Sequence, residues 1–416
     1  MKNSKPPVTN PVRLHPFPAR LSAALGLLAL ALAAGPPAAF AQDSLGEQEL
    51  EDVVVTGSRA ERGVELGSSI RLYGHVQASY TYNLTDPDQR KGANRLRLSD
   101  PDHNAFGVPY GKLGLVRSLS GRNEFDAGFR FEVGAGRMVE EVFQDPTLGD
   151  RGITVPQAYV DLQLPTPYKA LQLRLGRQYS WFGVESLDLY KNPNFSLSPL
   201  TLAVPKTVTG VSLGMDLGAG FRYTQYVVQG WDRVEDNNDA KTFGGQLAWR
   251  ADRLSLALNW VVGAERQNQS FSHIDEEDDL RWAVELAARW APVEGTELRA
   301  ALLYGQETFP DETAKFGGVM VALQQGLLKV EDADYHRFTL GLRGSYLRDQ
   351  GGARTGTDQA LGELTATLAV NLLENASLRF EYRRDFSSAD DAFLGHRGRP
   401  SRSGQDTFAL ALHYAF

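Results

Sequence analysis

The chain has 416 residues, a formal charge of −8 and no cysteine, which excludes a disulfide framework, thiolate chemistry and cysteine-based metal sites. Acidic residues number 51 against 43 basic ones, with no concentrated basic stretch, and this balance argues against nucleic acid as a partner. A low mean hydropathy does not exclude a membrane barrel, whose wall spreads its apolar residues over alternate positions.

Residues 1–41 carry Lys2, Lys5, Arg13 and Arg20, then an apolar run of 14 residues (21–34), then Ala39-Phe40-Ala41. A membrane-spanning helix needs roughly 20 apolar residues, so this pattern predicts a secretory signal peptide cleaved before Gln42. Its removal takes the formal charge from −8 to −12. Residues 42–68 are expected to be a flexible periplasmic segment, and 69–416 a single β domain.

The first clear strand is 69–83. Ile70, Leu72, Val76, Ala78, Tyr80 and Tyr82 fall on one parity, and Arg71, Tyr73, His75, Gln77, Ser79 and Thr81 on the other. Period-two alternation of this kind marks a strand with two chemically different faces. Further strands are predicted near 109–118, 124–134, 154–164, 171–179, 206–217, 221–232, 241–250, 253–263, 279–291, 297–306, 335–348, 358–371, 377–386 and 405–416. Tight connections at 217–220, 251–252 and 293–296 alternate with long polar ones at 84–108, 137–153, 180–205, 264–278 and 387–404. Short turns on one side and long loops on the other are the layout of a transmembrane antiparallel up-and-down β-barrel.

The last strand, QDTFALALHYAF, sets Phe408, Leu410, Leu412, Tyr414 and Phe416 on one face. It resembles the closing strand of bacterial outer-membrane barrels, a resemblance that implies contact with the outer-membrane assembly machinery through Phe416. Counting back from its direction, the strand at 335–348 must follow a tight turn near Val330–Asp334. The stretch 307–334 must therefore hide a strand, placed within 316–328, which makes the barrel even. The count is then sixteen, with fourteen or eighteen as alternatives. Trp282 and Trp290 share one face of a strand, and their spacing projects to roughly 20 Å along the barrel normal, near the two interfaces where Trp and Tyr concentrate.

The polar parity should line a lumen. Its candidates are Arg71, His75, Glu124, Asp126, Arg130, Glu132, Asp161, Arg174, Arg281, Glu285, Arg289, Glu297, Arg299, Arg337, Arg343, Glu363, Arg379, Glu381 and Arg383. Arginine slightly exceeds carboxylate, so the interior would favour anions weakly, although Arg and Glu on neighbouring strands can pair across the wall. The connection 180–205 is too apolar for a solvated loop and is the candidate constriction, either folded into the barrel or capping its mouth. Glu185, Asp188, Lys191 and Asn194 would be its pore-facing groups, with Arg174 and Lys206 on the adjoining wall.

The block 158–211, with LGLRGSYLRDQGG (340–352) and SLRFEYRRDFSS (377–388), resembles the OmpL-like β-barrel porins. That resemblance implies a passive channel for small solutes in the outer membrane, with lipid and lipopolysaccharide as its surroundings and with no catalytic residue to carry over. A homotrimer is the analogy with general porins. ELEDVVVTGSRAERG (49–63) resembles the segment that opens TonB-dependent receptors, which raises contact with TonB through 49–57 and, as the alternative function, a TonB-coupled transporter lacking a plug. The chain has too few residues for such a receptor's plug and 22-stranded barrel. No catalytic, cofactor or metal site is expected: the mature histidines lack HExxH spacing, and His103 beside Asp100 and Asp102 reads as loop composition. Gly107–Lys112 misses the phosphate-loop spacing. The acidic run 273–280 reads as a solvated loop.

Overall fold

Alternating side chains give each strand one face for lipid and one for the interior, and a closed sheet is the arrangement that leaves no unpaired backbone edge in a bilayer. The computed structural model describes residues 63–66, 69–143, 152–236, 240–265, 280–309, 312–331 and 333–416. The chain divides into two units, Met1–Gly46 and Glu47–Phe416, and every described residue belongs to the second. The expected signal peptide, the DVVVTGSR segment and the acidic stretch 273–279 lie outside the described residues.

Sixteen antiparallel strands close into a barrel. They are β1 Ile70–Asn83, β2 Gly111–Arg117, β3 Asp126–Ala135, β4 Ala158–Leu164, β5 Leu171–Tyr179, β6 Thr207–Gly218, β7 Phe221–Val228 and β8 Thr242–Arg250. The second half comprises β9 Leu254–Ala264, β10 Leu280–Trp290, β11 Thr296–Thr308, β12 Thr313–Lys329, β13 His336–Gln350, β14 Gln359–Leu373, β15 Ala376–Ser387 and β16 Gly404–Ala415. The strand placed within 316–328 by parity is β12, and the turn after it spans Val330 to Tyr335. The hairpin β11–β12 closes over only four residues on the long-loop side because both strands run on past the usual length, 13 and 17 residues. Glu124, expected on a wall strand, instead lies exposed in the turn before β3.

Closure is made by β16 against β1, in register from His75↔Ala415 to Asn83↔Thr407. Phe416 extends it: its N–H donates to Gly74 O at 2.9 Å and its carbonyl accepts Gly74 N–H at 3.0 Å. A short strand Val64–Leu66 then pairs with Ile70–Leu72, so backbone partners continue along β1 beyond the last residue. On the outward face Leu286, Leu302, Phe380, Phe408 and Leu412 are exposed, as a lipid-facing wall requires. The inward face is buried, and the buried clusters are formed by loops packed against it.

Candidate functional site

The connection from β5 to β6 folds inward. Residues 180–205 are almost entirely buried, and the wall beneath them is cut to receive them. Trp181 stacks on Tyr226 of β7 with ring centroids 3.8 Å apart and planes 8° apart. A Cβ at Gly244 of β8 would stand 2.1 Å from the Trp181 ring, so glycine is required there for the indole to lie on the wall. Ala257, Ala283, Ala287, Ala301 and Ala322 join Trp181, Phe182, Val184 and Leu200 in one apolar cluster. These inward alanines form a shallow seat for the loop.

A loop inside a barrel has backbone groups that no neighbouring strand can satisfy, and leaving them unpaired is costly. Charged side chains of the far wall supply the partners. Arg379 of β15 donates to Leu189 O at 3.1 Å and Tyr190 O at 2.6 Å, and Arg383 to Leu197 O at 2.6 Å. Arg299 of β11 donates to Lys191 O at 3.0 Å, and Arg343 of β13 to Ser196 O and, at 2.7 Å, to Glu185. Glu381 accepts the N–H groups of Phe195 and Ser196 at 2.6 and 3.1 Å, and Glu285 that of Gly183 at 2.8 Å. The arginines are held in turn by wall carboxylates, Arg343 by Glu363 and Arg383 by Asp385, each at 2.7 Å.

Asp188, near the loop's middle, meets His75 Nε2 at 3.1 Å, Lys112 Nζ at 2.9 Å and Lys191 Nζ at 3.4 Å. Burial would push its carboxyl up, but the Lys112 and Lys191 ammonium groups and the His75 bond outweigh that and hold it well below the usual carboxylate range. Lys112 also reaches Glu132 at 2.8 Å, where Arg130 and Tyr73 converge. The connection 84–110 packs beside this loop. Its Arg97 binds Asp100 at 2.7 Å and Asp385 at 2.8 Å, and Ser99 Oγ accepts Leu197 N–H at 3.2 Å. His103 is used locally, accepting Asn83 N–H at 2.9 Å.

Open space survives on one side, as a cavity of about 110 Å³ between the loop and β4–β8. Its wall carries Asp161, Gln172, Arg174, Arg222 and Gln246, and its loop side Trp181, Phe182, Glu185, Val204 and Lys206. Arg174 is clamped by Asp161 through two hydrogen bonds of 2.7 and 3.0 Å. Burial pushes the Lys206 ammonium down, with Asp232, 3.6 Å away, opposing it only in part.

Of the residues singled out from sequence, Asp161, Arg174, Glu185 and Lys206 meet at this cavity. Arg130, Glu132, Asp188, Lys191, Arg343, Arg379 and Arg383 are bound into the packed side of the lumen. Arg281 pairs with Glu307 at the long-loop end, Arg289 pairs with Glu297 at the short-turn end, both at 2.5 Å, and Arg71 lies near the start of β1. Arg222 was missed. It stands on the polar parity of β7 with Thr224 and Tyr226, which was the available signal.

Residues 69–416 match the family described as "Putative beta-barrel porin-2, OmpL-like". The chain belongs to this porin family. It is therefore an outer-membrane β-barrel porin, and both family and fold are those of a channel. No curated relative matches the sequence. Among solved structures, an anion-selective porin from Comamonas acidovorans superposes with a TM-score of 0.56 at 14% identity, covering 84% of this chain and 99% of its own. OprB from Pseudomonas putida gives 0.54 at 9% identity, covering 84% and 94%. The trimer form of OmpT from Vibrio cholerae gives 0.52 at 11% identity, covering 84% and 99%. At these identities the likeness is one of fold.

Proposed function

We propose that solutes cross this porin by passive diffusion through the space between loop 180–205 and the wall β4–β8, with the loop as the constriction. Asp161, Arg174, Glu185 and Lys206 line that route. The observation that carries the reading is the division of the lumen. The charges of β13 and β15 are bound to the loop, whereas polar groups of β4–β8 border open space. The unit forms a homotrimer, by analogy with the trimeric V. cholerae porin, and the β16–Phe416 end is the segment handled during assembly.

The full-length chain in planar bilayers is expected to give steady, ohmic single-channel steps. Trp181→Ala, which removes the ring from its seat on Gly244, is expected to enlarge them. Negligible conductance of the unaltered chain would sink the porin route, and unchanged steps in Trp181→Ala would place the constriction elsewhere.

A further inference from the structure

The charges around the cavity do not cancel. Arg174 is neutralised by Asp161, Glu185 by Arg343 at 2.7 Å, and Lys206 faces Asp232. Arg222 has a neutral hydrogen-bond partner, Gln172 Oε1 at 2.7 Å, and among the described residues no carboxylate forms an ion pair with it. Asp216, its register partner across the β6–β7 ladder, is drawn away to Lys169 Nζ at 2.7 Å. A guanidinium stays protonated in proteins, so Arg222 presents a standing positive charge to the cavity. Its position depends on a missing side chain: a Cβ at Gly214 would lie 2.3 Å from Arg222 Nη2. Glycine there leaves the guanidinium room to lie along the wall.

Opposite this charge, the loop contributes Trp181, Phe182, Leu187, Val204 and Pro205. An inorganic anion would use only the guanidinium. A small carboxylate with an apolar body would use both surfaces, because the guanidinium fork matches a carboxylate bidentately while the body rests on the loop. We infer that Arg222 sets the solute preference of this passage and makes it a transit site for small organic monocarboxylates with an apolar body. The inference rests on the diffusion route above.

The test uses the full-length chain in planar bilayers, reading the reversal potential in a KCl gradient and then current block by added benzoate or sulfate. The unaltered chain is expected to prefer anions and to be blocked more strongly by benzoate. In Arg222→Gln, loss of one unit charge from the cavity wall should lower the anion-to-cation permeability ratio severalfold and abolish the benzoate block, with single-channel steps still seen. Arg222→Lys should keep the ion preference but weaken the block, and Gly214→Ala, which displaces the guanidinium but keeps its charge, should likewise weaken the block while leaving the ion preference. Steps without any change of reversal potential in Arg222→Gln would overturn the role of Arg222 while leaving the porin route intact. Equal block by sulfate and benzoate would overturn the solute class, and an absence of current in the unaltered chain would remove route and inference together.

Discussion

The two sides of the lumen use the same residue types for opposite ends. On β13 and β15, Arg343, Arg379 and Arg383 are buried and spend their donors on loop carbonyls and wall carboxylates. On β5 and β7, Arg174 and Arg222 border open space. An inward arginine in a barrel is therefore not by itself a pore residue. What covers it decides whether its charge fastens a loop or reaches a solute.

The largest separation between the sides is expected in stability. Arg343→Met takes from Glu363, on the packed side, its closest guanidinium, and breaking a buried pair by removing one partner costs about 3–5 kcal/mol. Arg222→Met removes no carboxylate's partner and should cost less than about 1 kcal/mol. Urea unfolding followed by tryptophan fluorescence compares the two, and equal midpoint shifts would erase the distinction. Selectivity should separate the sides next, in reverse order. Asp161→Asn removes the negative charge that clamps Arg174 and should raise the anion-to-cation permeability ratio severalfold, read from the reversal potential, whereas Glu363→Gln on the packed side should leave it unchanged.

Acid tests the latch at Asp188. Its carboxyl is held below the unfolded value, so its contribution is present above that value and is lost as pH falls through the depressed folded one. The Asp188 contribution to holding the loop should persist as pH falls to its ordinary value of 3.8 and fade only below it, with the channel becoming larger or noisier there. Asp188→Asn should remove that acid transition. The smallest effect is expected at alkaline pH. The Lys206 ammonium is held below its usual 10.5, so its charge leaves before that pH is reached. The folded state gains stability as it does so, because the unfolded chain still binds the proton. Anion preference should decline over the same interval, and Lys206→Met should be flat across it.

The barrel was legible because a strand's period is local. Phe408, Leu410, Leu412 and Tyr414 alternate with small or polar residues whatever surrounds them, and the even number of strands forced β12 into a stretch that otherwise reads as loop. The apolar excess of 180–205 likewise marked that loop as unable to sit in water. The allocation of the arginines was not legible. Arg174 and Arg343 occupy equivalent inward positions, and nothing adjacent to either in sequence differs enough to separate them. Arg222 was overlooked for a related reason: its want of an ion-pairing carboxylate among the described residues depends on Asp216 turning to Lys169, and its place on the wall on the space left by Gly214.

By itself, then, the sequence determined that this is an even-stranded barrel, favoured sixteen as the count and marked the loop that must find cover. These follow from alternation, parity and hydropathy, which are properties of short stretches. Only the tertiary structure decided where the loop lies and which charges it consumes. Those depend on contacts between residues more than a hundred positions apart, such as Arg343 with Glu185 and Arg379 with Tyr190, and no local pattern encodes which wall the loop will meet.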